Sequence, residues 1–377
     1  MKTNHSSLLL LVVAVLSLSA CGTASATTVP APTVQPSTVS ATEPTTQPAT
    51  ATSQPTTLTV MVHDSFAASD SVINAFEQAN NVKINFIKGG DAGAELNRVI
   101  LAGDTYMADV YYGVDNTFLS RALAANIVQP YQSPLLANIP DEFKLDPQNR
   151  LLPVDYGDVC INYDIAYFTQ HNLPLPQTLE DLTKPEYKDL LVVENPATSS
   201  PGLAFVLATE KHFGDPNFIG YWKDLRQNGL VVVNDWETAY YTNFSGSSGK
   251  GAQPMVVSYA SSPVAEVIFA TPPKTEAVTG SLTDTDMCFR QIEFVGVMKN
   301  AQNVALAQKF VDFMLSTTFQ NDMPLQMFVY PVNTDAKIPD DFVKYNPVPA
   351  APVRMDPQTI ADNRDAWIQS WTEAVLH

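Results

Sequence analysis

Histidine and cysteine are scarce, with five histidines and three cysteines in 377 residues. The histidines are His5, His63, His171, His212 and His377, and no two stand at metal-ligand spacing, which argues against a metal site. There is no Gly-x-Ser-x-Gly elbow to mark a hydrolase nucleophile. The run Gly246-Ser247-Ser248-Gly249-Lys250-Gly251 lacks phosphate-loop spacing and has no Ser or Thr after its lysine, so it reads as a flexible hairpin loop. Positive charge is in deficit: 21 Lys and Arg face 39 Asp and Glu, for a net charge of −18. A nucleic-acid binder needs a basic footprint, and none is visible. An acidic surface suits a cationic ligand, although extracellular proteins are often acidic for solubility alone. Beyond the first twenty residues there is no long apolar run, so the rest reads as globular.

What the chain does have begins at its start. Lys2 precedes the apolar stretch Leu8 to Leu16, which is too short to cross a bilayer and has the layout of a secretory signal over residues 1–20. It ends in Leu18-Ser19-Ala20-Cys21, which resembles the bacterial lipoprotein cleavage box. That resemblance implies cleavage before Cys21, lipidation of its thiol and an extracytoplasmic protein anchored to a bacterial membrane. Residues 22–57 are almost wholly Thr, Pro, Ala, Ser, Val and Gln, with Glu43 the only charge. Such a segment buries too little apolar surface to offset its ordering entropy, and its prolines extend it. Residues 21–57 therefore read as a lipidated cysteine and a tether.

From Leu58 onward, strand and helix patterns alternate. Strands are expected at Leu58–His63, Lys83–Ile87 and Ala108–Gly113, with helices at Ser71–Gln78, Ala94–Leu101 and Thr117–Ala125. A Pro-rich loop covers 130–153, and Asp158–Tyr163 is the next strand. The alternation then repeats, with strands at Leu190–Val193, Leu230–Val233 and Met255–Ser258. Between them stand helices at Gly202–Phe213, Phe218–Asn228, Trp236–Asn243 and Pro263–Phe269. Phe289–Met298 is a long strand, and Asp356 can cap a last helix that starts at Pro357 and buries Ile360, Trp367 and Trp371 on one face. Two α/β regions of similar size, each with a mixed, mainly parallel sheet flanked by helices, predict two lobes and a cleft. Cys160 and Cys288 either pair, as the compartment permits, or sit as small buried apolar side chains.

Three strand-to-helix turns in the second region carry binding chemistry. Thr198-Ser199-Ser200-Pro201-Gly202 opens a helix, with Ser200 placed to cap it, and its free amides and hydroxyls suit an anion. Ser258-Tyr259-Ala260-Ser261-Ser262-Pro263 repeats that arrangement, and Asn234-Asp235-Trp236 puts an aromatic at a third turn. Such turns converge at the C-terminal ends of neighbouring strands, where α/β sheets bind ligands. The first region instead offers His63-Asp64-Ser65-Phe66, Asp91 and Asp115-Asn116 at its strand ends. Carboxylates and aromatics there suit a cationic or nitrogen-rich ring.

At these residues the chain resembles the thiamine-binding proteins of bacterial ABC importers. The resemblance rests on Leu58-Thr59-Val60 with Asp64-Ser65-Phe66, Ala108-Asp109-Val110 with Gly113 and Asp115-Asn116, and Pro153 with Asp155-Tyr156-Gly157. It continues through Thr198 to Leu203, Trp236 with Ala239-Tyr240, Ser258-Tyr259 with Ser262-Pro263, and Tyr330-Pro331-Val332. It implies a type II periplasmic-binding-protein fold, with lobe one at 58–157 plus 290–377 and lobe two at 158–289. Asp91 matches the residue that contacts the aminopyrimidine, and Thr198, Ser199, Ser200 and Gly202 match the turn that receives the hydroxyl or phosphate end. Trp236 matches an aromatic cleft wall and Tyr259 a ligand-contacting tyrosine. His63 and Phe328 stand where the family usually has tyrosine and often has tryptophan, and Ala265 stands at another position that is often aromatic. With Asp64, Asp115, Tyr240 and Ser262, these residues form the expected ligand site. The hinge strands implied by these lobes, Asp155 to Cys160 and Cys288 to Phe294, would cross side by side and bring Cys160 and Cys288 together as a disulfide.

The implied function is capture of thiamine or a thiamine phosphate and its delivery to an ABC importer's permease and ATPase. No catalysis, no cofactor, no resident metal and a monomeric state are expected. A ferric-iron binder would use Tyr240, Tyr241, Tyr259 and His63, but Tyr240 and Tyr241 in a regular helix cannot face one site. A polyamine binder would use the acidic and aromatic groups. An extracellular hydrolase would need Asp64, Asp91 and Asp155 arranged as acid and base, and no motif selects them.

Overall fold

The computed structural model describes residues 55–105, 108–248, 250–272, 274–284 and 286–377. The leader, Cys21 and the tether up to residue 54 lie outside the described residues. Among the described residues, eleven strands make one sheet: β1 (Thr56–Val62), β2 (Val82–Lys88), β3 (Val110–Asp115), β4 (Val128–Gln129), β5 (Leu152–Asp164) and β6 (Leu191–Glu194), then β7 (Val231–Val233), β8 (Met255–Tyr259), β9 (Thr279–Leu282), β10 (Phe289–Met298) and β11 (Tyr330–Pro331). Thr56 and Thr57, expected in the tether, are already in β1.

The main path through the sheet runs β2-β1-β3-β10-β5-β8-β6-β7. β1 pairs in parallel with β2 and β3, and β6 pairs in parallel with β7 and β8. Every residue of β3 is buried, as a central strand covered on both faces requires; it is parallel to β1 and antiparallel to β10. These two parallel halves, flanked by helices, give the two-lobed α/β fold. β5 and β10 join them as an antiparallel pair that runs from Phe289 opposite Val159 to Val295 opposite Leu152, with one register shift after Glu293. The first part of β5 pairs with β10 and β11, and its last part pairs with β8 and β9.

β5 is thus thirteen residues long, where the sequence pattern begins a strand only at Asp158. Pro153 and Gly157 disguise its first part. A proline cannot donate to a ladder, and here Pro153 sits at the register shift that follows Glu293. Cys160 of β5 and Cys288, just before β10, form a disulfide with Cα atoms 4.3 Å apart. Gly246, Ser247 and Ser248, expected within a hairpin loop, lie in the helical turn Ser245–Ser248.

The last helix, Pro357–Val375, is capped as expected: the Asp356 carboxylate accepts from the Thr359 amide at 3.0 Å. Ile360, Trp367 and Trp371 are buried. Trp371 meets Trp222 edge-on at 5.5 Å, and Trp367 Nε1 donates to Asp215 at 3.4 Å. Nearer the helix's start, the buried Arg364 guanidinium lies 5.5 Å over the ring of Phe118. One helix therefore packs against elements that follow β3 and elements that follow β6.

Candidate functional site

The C-terminal ends of both sets of parallel strands face a cavity of about 610 Å³. β1 runs out into His63 and Asp64, and β2 runs out into Lys88 and the Gly89-Gly90-Asp91 turn. Backbone hydrogen bonds knit these ends together: the Asp64 amide donates to Gly90 O at 3.0 Å, and the Gly90 amide donates to Asp64 Oδ1 at 2.9 Å. Gly90 holds φ at +103°, and Gly113 holds it at +113°. A side chain at Gly113 would also run into the His63 ring, so glycine is required there. Burial, helped by the charge of Lys88, pushes the His63 imidazole down to about 4, so it is neutral at pH 7.

Asp91 caps the helix Ala92–Ala102 by accepting from the Ala92 amide at 2.8 Å. Its other oxygen accepts from the Trp236 amide at 3.0 Å, across from the second parallel half. A second bridge runs from the Ala94 amide to Thr198 O at 3.0 Å. Burial lifts the Asp91 carboxyl to about 6, against the pull of the Ser199 hydroxyl and the two amides.

The opposite wall is aromatic. Trp236 stacks on Tyr240 with centroids 5.0 Å apart and meets Tyr259 at 6.4 Å. Its indole Nε1 donates to Ser258 Oγ at 2.9 Å, and Ser258 Oγ lies 2.9 Å from Ser262 Oγ. The three turns expected to converge therefore do so. The chain from Thr238 to Asn243 is wound as a π-helix, with Tyr240 and Tyr241 both on the cavity wall. This corrects the argument from regular helical spacing that the pair cannot face one site. The Tyr240 hydroxyl donates to Glu266 at 3.0 Å.

Among the expected site residues, His63, Asp64, Asp91, Ser200, Trp236, Tyr240, Tyr259, Ser262 and Phe328 line the cavity. Four stand behind the wall. Thr198 donates its hydroxyl to Asn234 O at 2.6 Å, and Ser199 is fully buried. Gly202 lets the helix pack against the Glu194 backbone, where a Cβ has no room. Asp115 is fully buried and accepts from Thr117 Oγ1 at 2.7 Å and from Gln291 Nε2 at 2.5 Å. Ser200 is not the helix cap. Ser199 has the extended cap conformation, while Ser200 begins the helix and takes a hydrogen bond from Gln291 Nε2 at 2.8 Å.

Sequence reasoning missed Glu293, Lys88, Phe269 and Lys274, all of which line the cavity, and it considered Tyr241 only as an iron ligand. Glu293 carried a signal, a carboxylate in the middle of the long strand β10 where the apolar run from Phe294 to Met298 begins just after it. Among the described residues, no three His, Cys, Asp or Glu side chains are placed to hold a metal ion. The cavity pairs an acidic floor with an aromatic wall, which fits a flat, cationic or nitrogen-rich organic ligand.

The family described as bacterial extracellular solute-binding protein matches residues 106–352. The thiamine-binding periplasmic protein of Salmonella typhimurium is 31% identical over 326 residues, spanning 84% of this chain and 93% of that one. A solved structure titled periplasmic thiamin binding protein superposes with a TM-score of 0.75 at 29% identity, covering 85% of this chain and 96% of that chain. Iron-bound HitA from Pseudomonas aeruginosa shares the fold, with a TM-score of 0.67 at 20% identity, covering 84% of this chain and 99% of that chain.

Proposed function

Because the chain belongs to the bacterial extracellular solute-binding proteins, we propose that it captures thiamine or a thiamine phosphate and delivers it to an ABC importer. The observation that carries this reading is the pairing of Asp91 with Trp236 and Tyr259 around one cavity. Asp91 would hold the aminopyrimidine, Trp236 and Tyr259 would pack against the rings, and Ser200 with Ser262 would meet the hydroxyl or phosphate end. Lobe one would be 58–157 plus 290–377 and lobe two 158–289, with β5 and β10 as the hinge. The ligand would favour the closed state by touching both lobes at once. Cys21 would carry the lipid anchor, and the protein would act as a monomer without catalysis of its own.

Ferric iron is the second reading, because Tyr240, Tyr241 and Tyr259 share the cavity wall. Against it, the Tyr240 hydroxyl is already committed to Glu266. Calorimetric titration of the ligand-free protein with thiamine, its monophosphate and its diphosphate tests the first reading. Saturable one-to-one binding is expected, and the tightest of the three names the cargo. Silence with all three, together with a visible absorption band on adding ferric citrate, would replace thiamine with iron.

A further inference from the structure

Along β10, side chains alternate, so Gln291 and Glu293 share one face while Arg290 and Ile292 take the other. Glu293 stands opposite Asp115 on β3 and opposite Asp155 on β5. Three carboxyls thus form one cross-strand row, which their mutual repulsion disfavours if all are charged. All three are buried, and among the described residues none is ion-paired with Lys or Arg.

The Tyr112 hydroxyl lies 2.7 Å from Asp155 Oδ2 and 3.0 Å from Glu293 Oε2. A phenol has one proton, so it donates to one carboxylate and accepts from the other, which must then be protonated. Burial pushes both carboxyls the same way, Asp155 up to about 7 and Glu293 well above the usual range. His63 Nε2, 3.5 Å from Glu293 Oε1, belongs to a neutral ring and has no hydrogen-bond partner. Tyr259 faces the same group from the end of β8. Of the three carboxyls, Glu293 alone lines the cavity.

We propose that Glu293 is the counter-charge for the cationic ring of the ligand, and that binding expels the proton held by the Tyr112, Asp155 and Glu293 group. This rests on the thiamine reading, because the thiazolium ring is a permanent cation. No covalent bond to the ligand forms. One O–H proton leaves for solvent as one positive ring enters, so the buried charge on the cavity floor stays constant.

The test is calorimetry of the wild-type protein with thiamine near pH 6.5, in buffers of differing ionisation enthalpy. Release of about one proton per ligand is expected, with binding tightening as pH rises. Glu293→Gln keeps the acceptor for Tyr112. It should abolish the proton release and weaken thiamine binding about tenfold or more. The thiamine isostere with a neutral thiophene ring should bind wild type and variant alike.

If wild type binds thiamine without proton release, or if the release persists in Glu293→Gln, the proposal fails while the thiamine reading stands. Persistence would make Asp91 the proton source. Should the variant not fold, Asp91→Asn at saturating thiamine decides instead: release that survives it belongs to the Tyr112, Asp155 and Glu293 group, and release that vanishes overturns the proposal. Failure of wild type to bind thiamine would overturn the reading beneath, and this inference with it.

Discussion

At Asp91, one carboxylate oxygen closes the start of its own helix while the other reaches the Trp236 amide across the cavity. Asp91→Ala should therefore cost about 1 kcal/mol as a lost cap and weaken thiamine binding about tenfold or more. Trp236→Ala should weaken binding similarly while the fold survives. Circular dichroism melts beside calorimetry separate the two effects, and normal binding by both variants would reject this site. Gly113→Ala should destabilise by more than about 1 kcal/mol, because it strains a positive φ and strikes the His63 ring. Much at this scale was legible, since turns at 198–202, 236 and 258–262 announce themselves by serine, proline and aromatic spacing. Glu293 was not, because alternation places a side chain on a face but does not say that the face meets a cavity. The shared placement of Tyr240 and Tyr241 was hidden because π-winding changes the angle between neighbours, and nothing in that hexapeptide betrays it.

Among the elements, the crossing pair β5 and β10 decides how the halves are connected. The disulfide closes a separation of 128 residues, which the chain-entropy account values at about 4–5 kcal/mol in the native state's favour. Cys160→Ser with Cys288→Ser should lower stability to urea by about 2–5 kcal/mol, and reductant should reproduce the loss in wild type but not in the variant. An unchanged unfolding midpoint would show that β5 and β10 hold without the bond. β10 was readable over its full length as a long strand. β5 was readable only in its second half, because Pro153 and Gly157 are breakers everywhere except at a bulge or where another side chain packs close. Gly157 is such a place, with the Tyr259 ring against it. The short strands β4, β9 and β11 owe their pairing to neighbours far away in sequence, so local pattern does not reveal them.

For the whole molecule, buried carboxyls set the response to pH. Asp91 and Asp115 at about 6, and Asp155 at about 7, all lie above the ordinary 3.8. At these three groups the folded state binds protons more tightly than the unfolded chain, which outweighs the opposing step at His63, held down to about 4. The stability this confers is complete below about pH 4 and is lost as pH rises through 6 to 7. A net charge of −18 acts in the same direction, since acid relieves its self-repulsion. The ligand-free protein should melt higher at pH 5 than at pH 7.5, by about 3 °C or more in scanning calorimetry. A lower melting temperature at pH 5 would contradict these carboxyl assignments. The alternation of strands and helices made the two-lobed architecture legible, whereas the strap formed by the last helix was visible only as a generic apolar face. That strap bears on biogenesis. Trp371 and Arg364 complete packing around Trp222 and Phe118, which precede them by well over a hundred residues. A chain made amino end first leaves the packing around Trp222 and Phe118 unfinished until this helix has been made.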